Sequence, residues 1–136
     1  MTPFRASLTL LILAGTAALG TEAFLAAQAG AGALDGKTFA GEYGKTWKKA
    51  EGRDELIFED GRFRSTACDP YKFGDAAYTT APDGDAIRFE AETESPKYGR
   101  MKWSGRVQGN VLDGNFTWIK KNNKTVDYWI KARRKP

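Results

Sequence analysis

The sequence predicts an all-β domain that closes into an eight-stranded, antiparallel, up-and-down barrel. Two observations lead to this prediction. After residue 30, short runs rich in aromatic and β-branched residues alternate apolar with polar positions between turn signals, as half-buried strands do. No segment there repeats apolar residues with the spacing of an amphipathic helix over three turns, which argues against parallel βαβ folds. Closure removes the exposed edges of short strands, and a two-sheet β-sandwich is the alternative.

The first five strands are expected before residue 94. Asp60-Gly61 and Asp83-Gly84 lie where tight hairpin turns are needed, because glycine adopts a positive φ without steric cost. The predicted strands cover residues 38–44, 55–59, 62–67, 77–81 and 87–93.

The last three strands have the clearest alternation. Met101, Trp103 and Val107 share one face of a strand over residues 100–107. Strands over residues 112–118 and 126–132 follow, each after a polar turn, and Trp129 is expected to point outward. The side chains predicted to face the barrel interior are Phe39, Tyr43, Leu56, Phe58, Phe63, Tyr78, Ile87, Phe89, Met101, Trp103, Val107, Leu112, Phe116, Trp118, Val126, Tyr128 and Ile130.

Trp103 and Gly105 are the positions at which the sequence is most specific about structure. Trp103 is expected to be buried against Phe116 or Leu112 of the next strand. Gly105 shares the face of Trp103, and a residue without a side chain inside a strand usually marks a bend, a bulge or the close approach of another group. A barrel needs such positions to close around large rings.

Residues 1–29 have the form of a secretory signal peptide. Arg5 precedes an apolar run over residues 8–20, which is shorter than the roughly 20 residues needed to cross a bilayer. Ala27-Gln28-Ala29 supplies the small-x-small pattern for cleavage after Ala29, and an uncleaved anchor is the alternative. These features predict an exported protein, periplasmic or secreted, with no transmembrane segment in the mature chain.

The mature region, residues 30–136, has the length of a single domain. Its one cysteine, Cys68, lies far from the apolar leader, which argues against a lipid anchor, and it allows no internal disulfide. An unpaired cysteine is usually buried, and a disulfide to another molecule is the alternative. Packing is therefore expected to stabilise the domain.

The predicted architecture is that of lipocalins and avidins. Residues 39–43, Phe-Ala-Gly-Glu-Tyr, resemble the aromatic-x-Gly-x-Trp opening of such calycin barrels, with Tyr43 in place of Trp. In that family the Trp packs beneath a basic residue of the last strand, so the resemblance implies Arg133 or Arg134 as the partner of Tyr43. Stretches at residues 34–39, 63–75 and 101–105 are also similar to a group of small exported bacterial proteins without an assigned activity. That similarity implies no catalytic or binding residue.

The composition argues against an enzyme. The chain has no histidine, which removes the commonest general base and metal ligand and excludes Ser-His-Asp and Cys-His arrangements. Asp83 and Asp85 could form an acid–base pair, but they flank a glycine and are therefore predicted to belong to a hairpin turn. No catalytic residue is assigned. Asp69 and Asp75 flank an irregular loop but offer too few oxygens for the six to eight that calcium takes, so no metal and no cofactor are predicted.

The favoured function is the binding of a small apolar ligand in the barrel by a non-catalytic envelope or periplasmic protein. Tyr71 and Phe73 lie on the irregular loop, where they cap the core or guard an entrance. A barrel interior with no connected volume above roughly 300 Å³, the low end for ligand pockets, would argue against this function. The candidate ligand-binding residues are Tyr43, Phe63, Tyr71, Phe73, Tyr78, Trp103, Trp118 and Tyr128.

The charge distribution suggests an alternative. Residues 34–98 contain 10 basic and 14 acidic side chains, whereas residues 99–136 contain 10 basic and two acidic ones. A basic half favours anionic partners, so the alternative is an interaction module, an inhibitor or a binder of an anionic envelope component, that uses the C-terminal hairpins. Nucleic acid is not the predicted partner, because an exported protein rarely meets it. The candidate polyanion-binding residues are Lys102, Lys120, Lys121, Lys124 and Lys131.

Overall fold

Eight antiparallel strands close into an up-and-down barrel in which each strand pairs with the next and the last pairs with the first. The computed structural model describes residues 32–136, so the predicted signal peptide lies outside the described residues. The barrel prediction is confirmed and the sandwich alternative is set aside. The strands are β1 (Lys37–Lys45), β2 (Gly52–Glu59), β3 (Arg62–Ser65), β4 (Asp75–Asp83), β5 (Ala86–Ser95), β6 (Gly99–Gln108), β7 (Val111–Ile119) and β8 (Thr125–Arg134).

The chain between β3 and β4 forms a short 3-10 helix, Thr66–Tyr71, where the sequence predicted the end of a strand and an irregular loop. The difference arises from a contact between distant residues. Asp54 on β2 accepts hydrogen bonds from the Ser65 hydroxyl at 2.6 Å and from the Ala67 backbone N–H at 3.0 Å. These bonds draw residues 65–67 towards β2 and end β3 early.

The barrel closes where β1 meets β8. Gly41 lies opposite Ala132, and a side-chain carbon at position 41 would overlap the carbonyl oxygen of Lys131. Glycine is therefore required here, because the two strands approach more closely than any side chain allows.

A continuous series of aromatic rings fills the interior. Phe58 contacts Phe63 at 5.3 Å and Phe89 at 5.1 Å between ring centroids. The series continues from Phe63 to Trp103 at 5.0 Å, and Trp103 stacks on Phe116 at 4.2 Å. Trp103 is 2% exposed, as predicted. Rings of this size dominate the apolar area of a small core and supply most of its stabilisation.

Residues 32–36 close one end of the barrel. Leu34 is fully buried, and its backbone N–H donates to the Tyr78 hydroxyl at 3.1 Å. The Tyr78 hydroxyl donates to the Asp35 carboxylate at 2.7 Å, and the Gly61 backbone N–H donates to the same carboxylate at 2.9 Å. Burial, followed by the Asp35 carboxylate, raises the pKa of Tyr78, so its hydroxyl remains a donor. We call this the closed end.

Val126 and Trp129 face inward and outward, as alternation along β8 predicts, but both are only partly buried. Val126 does not belong to the core cluster, because it lies at the start of β8, near the end of the barrel. Trp129 is also partly buried, and its indole N–H donates to the carbonyl oxygen of Lys48 at 2.8 Å. It therefore holds the connection between β1 and β2 in place and offers no free ring.

Candidate functional site

The end of the barrel opposite Leu34 carries an aromatic cavity. Connections at residues 46–51, 66–74, 96–98 and 120–124 surround this end, which we call the open end. The cavity has a volume of about 240 Å³. We call it the aromatic cup. Its lining residues are Tyr43, Glu51, Asp54, Ala67, Cys68, Tyr71, Phe73, Tyr98, Met101, Phe116, Trp118 and Tyr128.

The floor of the cup is a stacked pair of aromatic rings. Phe116 and Tyr128 stack with centroids 4.6 Å apart and planes 7° from parallel. Tyr43 on β1 contacts both rings, at 5.9 Å from Phe116 and 6.2 Å from Tyr128. Because Trp103 supports Phe116 from the interior, the floor is an extension of the packed core.

The rim is held by hydrogen bonds between side chains and backbone. The Trp118 indole N–H donates to the carbonyl oxygen of Tyr98 at 2.8 Å, and the Ser95 hydroxyl donates to the carbonyl oxygen of Tyr71 at 2.7 Å. The Tyr71 and Tyr98 rings meet edge to face at 5.5 Å. These contacts tie the 3-10 helix to the connection between β5 and β6, so the mouth is preformed.

One wall of the cup is acidic. Asp54 is 4% exposed, and no ion pair with a described residue neutralises it. Burial raises the pKa of its carboxyl group, while the hydrogen bonds from Ser65 and Ala67 oppose that rise. Burial raises the pKa of the Tyr43 and Tyr128 hydroxyls, and the Glu51 charge raises both further. Both tyrosines are therefore neutral hydrogen-bond donors.

Cys68 lies in the same wall and is 8% exposed. Burial raises the pKa of its thiol to about 11. At neutral pH the group is a protonated thiol, which is a weak nucleophile. The side chains of the cup thus combine stacked rings, hydroxyl donors and carboxyl acceptors, a set suited to binding.

Five of the eight candidate ligand-binding residues line the cup, and three lie elsewhere. Phe63 and Trp103 lie in the packed interior, and Tyr78 belongs to the closed end. Alternation predicts that a side chain faces the barrel interior, but it does not predict its position along the barrel axis. The three residues outside the cup therefore face inward at other levels of the barrel. The five in the cup are Tyr43, Tyr71, Phe73, Trp118 and Tyr128.

Other lining residues were not singled out as ligand-binding from the sequence. Phe116 and Met101 were expected inside the barrel, but only the register shows that they face the cup. Tyr98 lies in a turn, where no alternation pattern signals its direction. Asp54 and Glu51 had no sequence signal, because their proximity to the rings depends on how β2 pairs with β1.

The five candidate polyanion-binding lysines do not form one patch. Lys102 lies beside Glu92, and Lys131 lies between Glu42 and Asp113 on neighbouring strands. Lys131 is also up to about 23 Å from Lys124 along β8, at roughly 3.3 Å per residue. Only Lys120, Lys121 and Lys124 share a location, the connection between β7 and β8.

The calycin resemblance implied a contact between Tyr43 and a C-terminal arginine. Arg133 and Arg134 instead pair with Ala40 and Phe39, whereas Tyr43 pairs with Ile130 nearer the open end. Within residues 32–136, Tyr43 therefore contacts rings where the resemblance implied an arginine.

Residues 32–136 contain neither a cluster of metal ligands nor a helix that could span a membrane. No three His, Cys, Asp or Glu side chains gather there as a metal site, and Asp75 and Asp69 are paired with Arg62 and Arg64. No helix in this part of the chain is long and apolar enough to span a membrane.

Comparison with known proteins adds no relative from which a role could be transferred. No family model matches the chain, and no curated protein or solved structure is significantly similar to it.

Proposed function

We propose that this protein is an exported, non-catalytic binding protein whose aromatic cup holds a small, largely apolar ligand. The observation that carries the proposal is the cup itself, a preformed concave site lined by stacked rings with a few convergent polar groups. Sites of this composition are the usual binding sites for small molecules. Export is supported by the leader-like composition of residues 1–29.

The volume of the cup restricts the size of the ligand. About 240 Å³ is below the roughly 300 Å³ that the ligand-binding hypothesis required, so the hypothesis fails for a ligand of ordinary size and is kept here only for a smaller one. An apolar protein cavity of about 150 Å³ is large enough for benzene. The cup therefore suits a single ring with short substituents, and it is too small for the whole chain of a fatty acid.

The lining restricts the charge of the ligand. It contains the carboxyl groups of Asp54 and Glu51 and no lysine or arginine. An anionic group deep in the cup would meet these acids, whereas a hydroxyl or an amine would find acceptors. A neutral or cationic ring compound that carries one polar substituent is therefore the best fit.

Ligand titration of a cup-filling variant tests the proposal. Ala67 lines the cup, so Ala67→Phe places a ring in the cavity, while Ala77→Phe places the same ring on the exposed outer wall. Calorimetry and ligand-observed NMR with p-cresol, tyramine and benzoate should show binding of the first two to wild type and to Ala77→Phe. Binding should be lost in Ala67→Phe with its circular dichroism spectrum unchanged. Equal affinities in both variants, or no binding to wild type, would overturn the proposal.

A further inference from the structure

The two ends of the barrel differ strongly in charge. The open-end connections, residues 46–51, 66–74, 96–98 and 120–124, contain seven lysines and two acidic residues. The closed-end segments, residues 32–36, 60–61, 84–85, 109–110 and 135–136, contain three aspartates and one basic residue, Lys135, which is paired with Glu55. An up-and-down topology explains the separation, because alternate connections return to the same end. The lysines in four distant parts of the sequence thus surround one mouth.

These lysines are available to a partner. All are exposed except Lys120, which is partly buried over the Trp118 ring at 4.9 Å. None of the seven forms an ion pair with a residue of the described part of the chain. Of the two acids at this end, Asp69 is paired with Arg64 and Glu51 lines the cup. The open end therefore presents uncompensated positive charge.

Trp47 projects from the same end. It is 95% exposed, between lysines at positions 45, 48 and 49, and its φ is +66°, a left-handed conformation that bulky residues rarely adopt. Two hydrogen bonds anchor the connection around it: the Trp129 indole N–H donates to the Lys48 carbonyl oxygen, and the Thr46 backbone N–H donates to the carbonyl oxygen of Asp127 at 3.0 Å. The backbone of Trp47 is therefore strained, although its indole ring gains no contact that would offset the strain.

Tyr71 is a second exposed ring at this end. It is 51% exposed, and it lies on the 3-10 helix beside the mouth of the cup. Exposed Trp and Tyr rings among lysines are the side chains that proteins place at the boundary between lipid headgroups and acyl chains. Lysines near an anionic leaflet add electrostatic attraction over about a Debye length.

We propose that the open end docks on an anionic membrane surface, with Trp47 inserted at headgroup level and the surrounding lysines against lipid phosphates. The mouth of the cup then faces the bilayer. Apolar ring compounds dissolve in the bilayer and would pass from it into the cup. A soluble polyanion would satisfy the lysines but would leave the projecting indole without an apolar partner. The docking does not depend on the ligand proposed for the cup, since Trp47 is not among the cup's lining residues.

Vesicle flotation tests this inference with the protein as purified from its own cells. We expect co-flotation with phosphatidylcholine vesicles containing about 30% phosphatidylglycerol, little with pure phosphatidylcholine, and weakening between about 0.05 and 0.5 M salt. Trp47→Ala and the double variant Lys48→Gln/Lys49→Gln should each reduce partitioning roughly tenfold. Val111→Ala, which removes an exposed apolar side chain near the closed end, should have no effect.

Three results would overturn the inference. They are equal binding to neutral and anionic vesicles, partitioning that is unchanged in Trp47→Ala, and binding to soluble polyphosphate as strong as binding to vesicles and independent of Trp47. Loss of ring-compound binding in Ala67→Phe with vesicle binding retained would separate the cup from the docking surface.

Discussion

Trp103 stacks on Phe116 with ring centroids 4.2 Å apart and planes 24° from parallel, and it joins the packed core to the floor of the cup. Trp103→Ala should lower the free energy of unfolding by about 3 to 5 kcal/mol, because it leaves a large cavity beneath Phe116. Trp103→Phe should cost much less, since the Trp103 indole N–H has no hydrogen-bond partner among residues 32–136. Urea unfolding measures both values, and a loss below about 1 kcal/mol for the alanine variant would contradict this account.

Gly105 makes room for a ring of the neighbouring strand. A side-chain carbon at position 105 would lie 2.6 Å from Cε1 of Phe89, which pairs with Gly105 across β5 and β6. Gly105→Val should therefore destabilise the barrel by roughly 1 to 3 kcal/mol through overpacking. In the double variant with Phe89→Leu, the two effects should not add, because the smaller side chain relieves the contact. Additive losses in urea unfolding would show that Phe89 is not the obstacle.

Asp54 should give the stability an unusual pH dependence. Its carboxyl pKa is raised in the folded state, so folding opposes ionisation. Above its folded-state pKa, the ionised carboxylate lowers the free energy of unfolding. This loss of stability disappears as the pH falls through the folded-state pKa towards the unfolded-state value of about 3.9, because the carboxyl group becomes protonated. Relative to Asp54→Asn, wild type should therefore gain stability as the pH falls from about 7 to 4. The comparison requires urea unfolding of both proteins across this range, and a constant difference would contradict the raised pKa.

Cys68 should react slowly with thiol reagents in the folded protein. Because burial raises its pKa to about 11, the thiolate fraction is small at neutral pH. The rate of labelling by an aromatic disulfide should rise with pH beyond about 8.5, the ordinary cysteine pKa, without reaching a plateau there. The same protein in urea should label rapidly and reach its plateau near that ordinary value. A folded-state plateau near 8.5 would show that the thiol is exposed.

The architecture and the burial of particular side chains were predictable because a strand exposes alternate residues to opposite faces. The pattern around Met101, Trp103 and Val107 specified both the strand and its buried face, and all three are buried. The turns at Asp60-Gly61 and Asp83-Gly84 were predictable from backbone chemistry, since Gly61 and Gly84 have the positive φ that such turns require. These features depend on residues close in sequence, and their signal is therefore local.

The location of the site was decided by the tertiary structure. Alternation predicts that both Phe63 and Phe116 face inward, yet Phe63 lies in the core and Phe116 lines the cup. Strand register sets the position of each ring along the barrel axis, and Leu34 closes the opposite end. Asp54 reaches Ser65 and Ala67 only through the pairing of β2 with β3. The lysines of four separate connections meet at one end only once the barrel has closed. Alternation depends on neighbouring residues. The position of a ring along the barrel axis, its burial and the charge around the open end depend on contacts between distant segments.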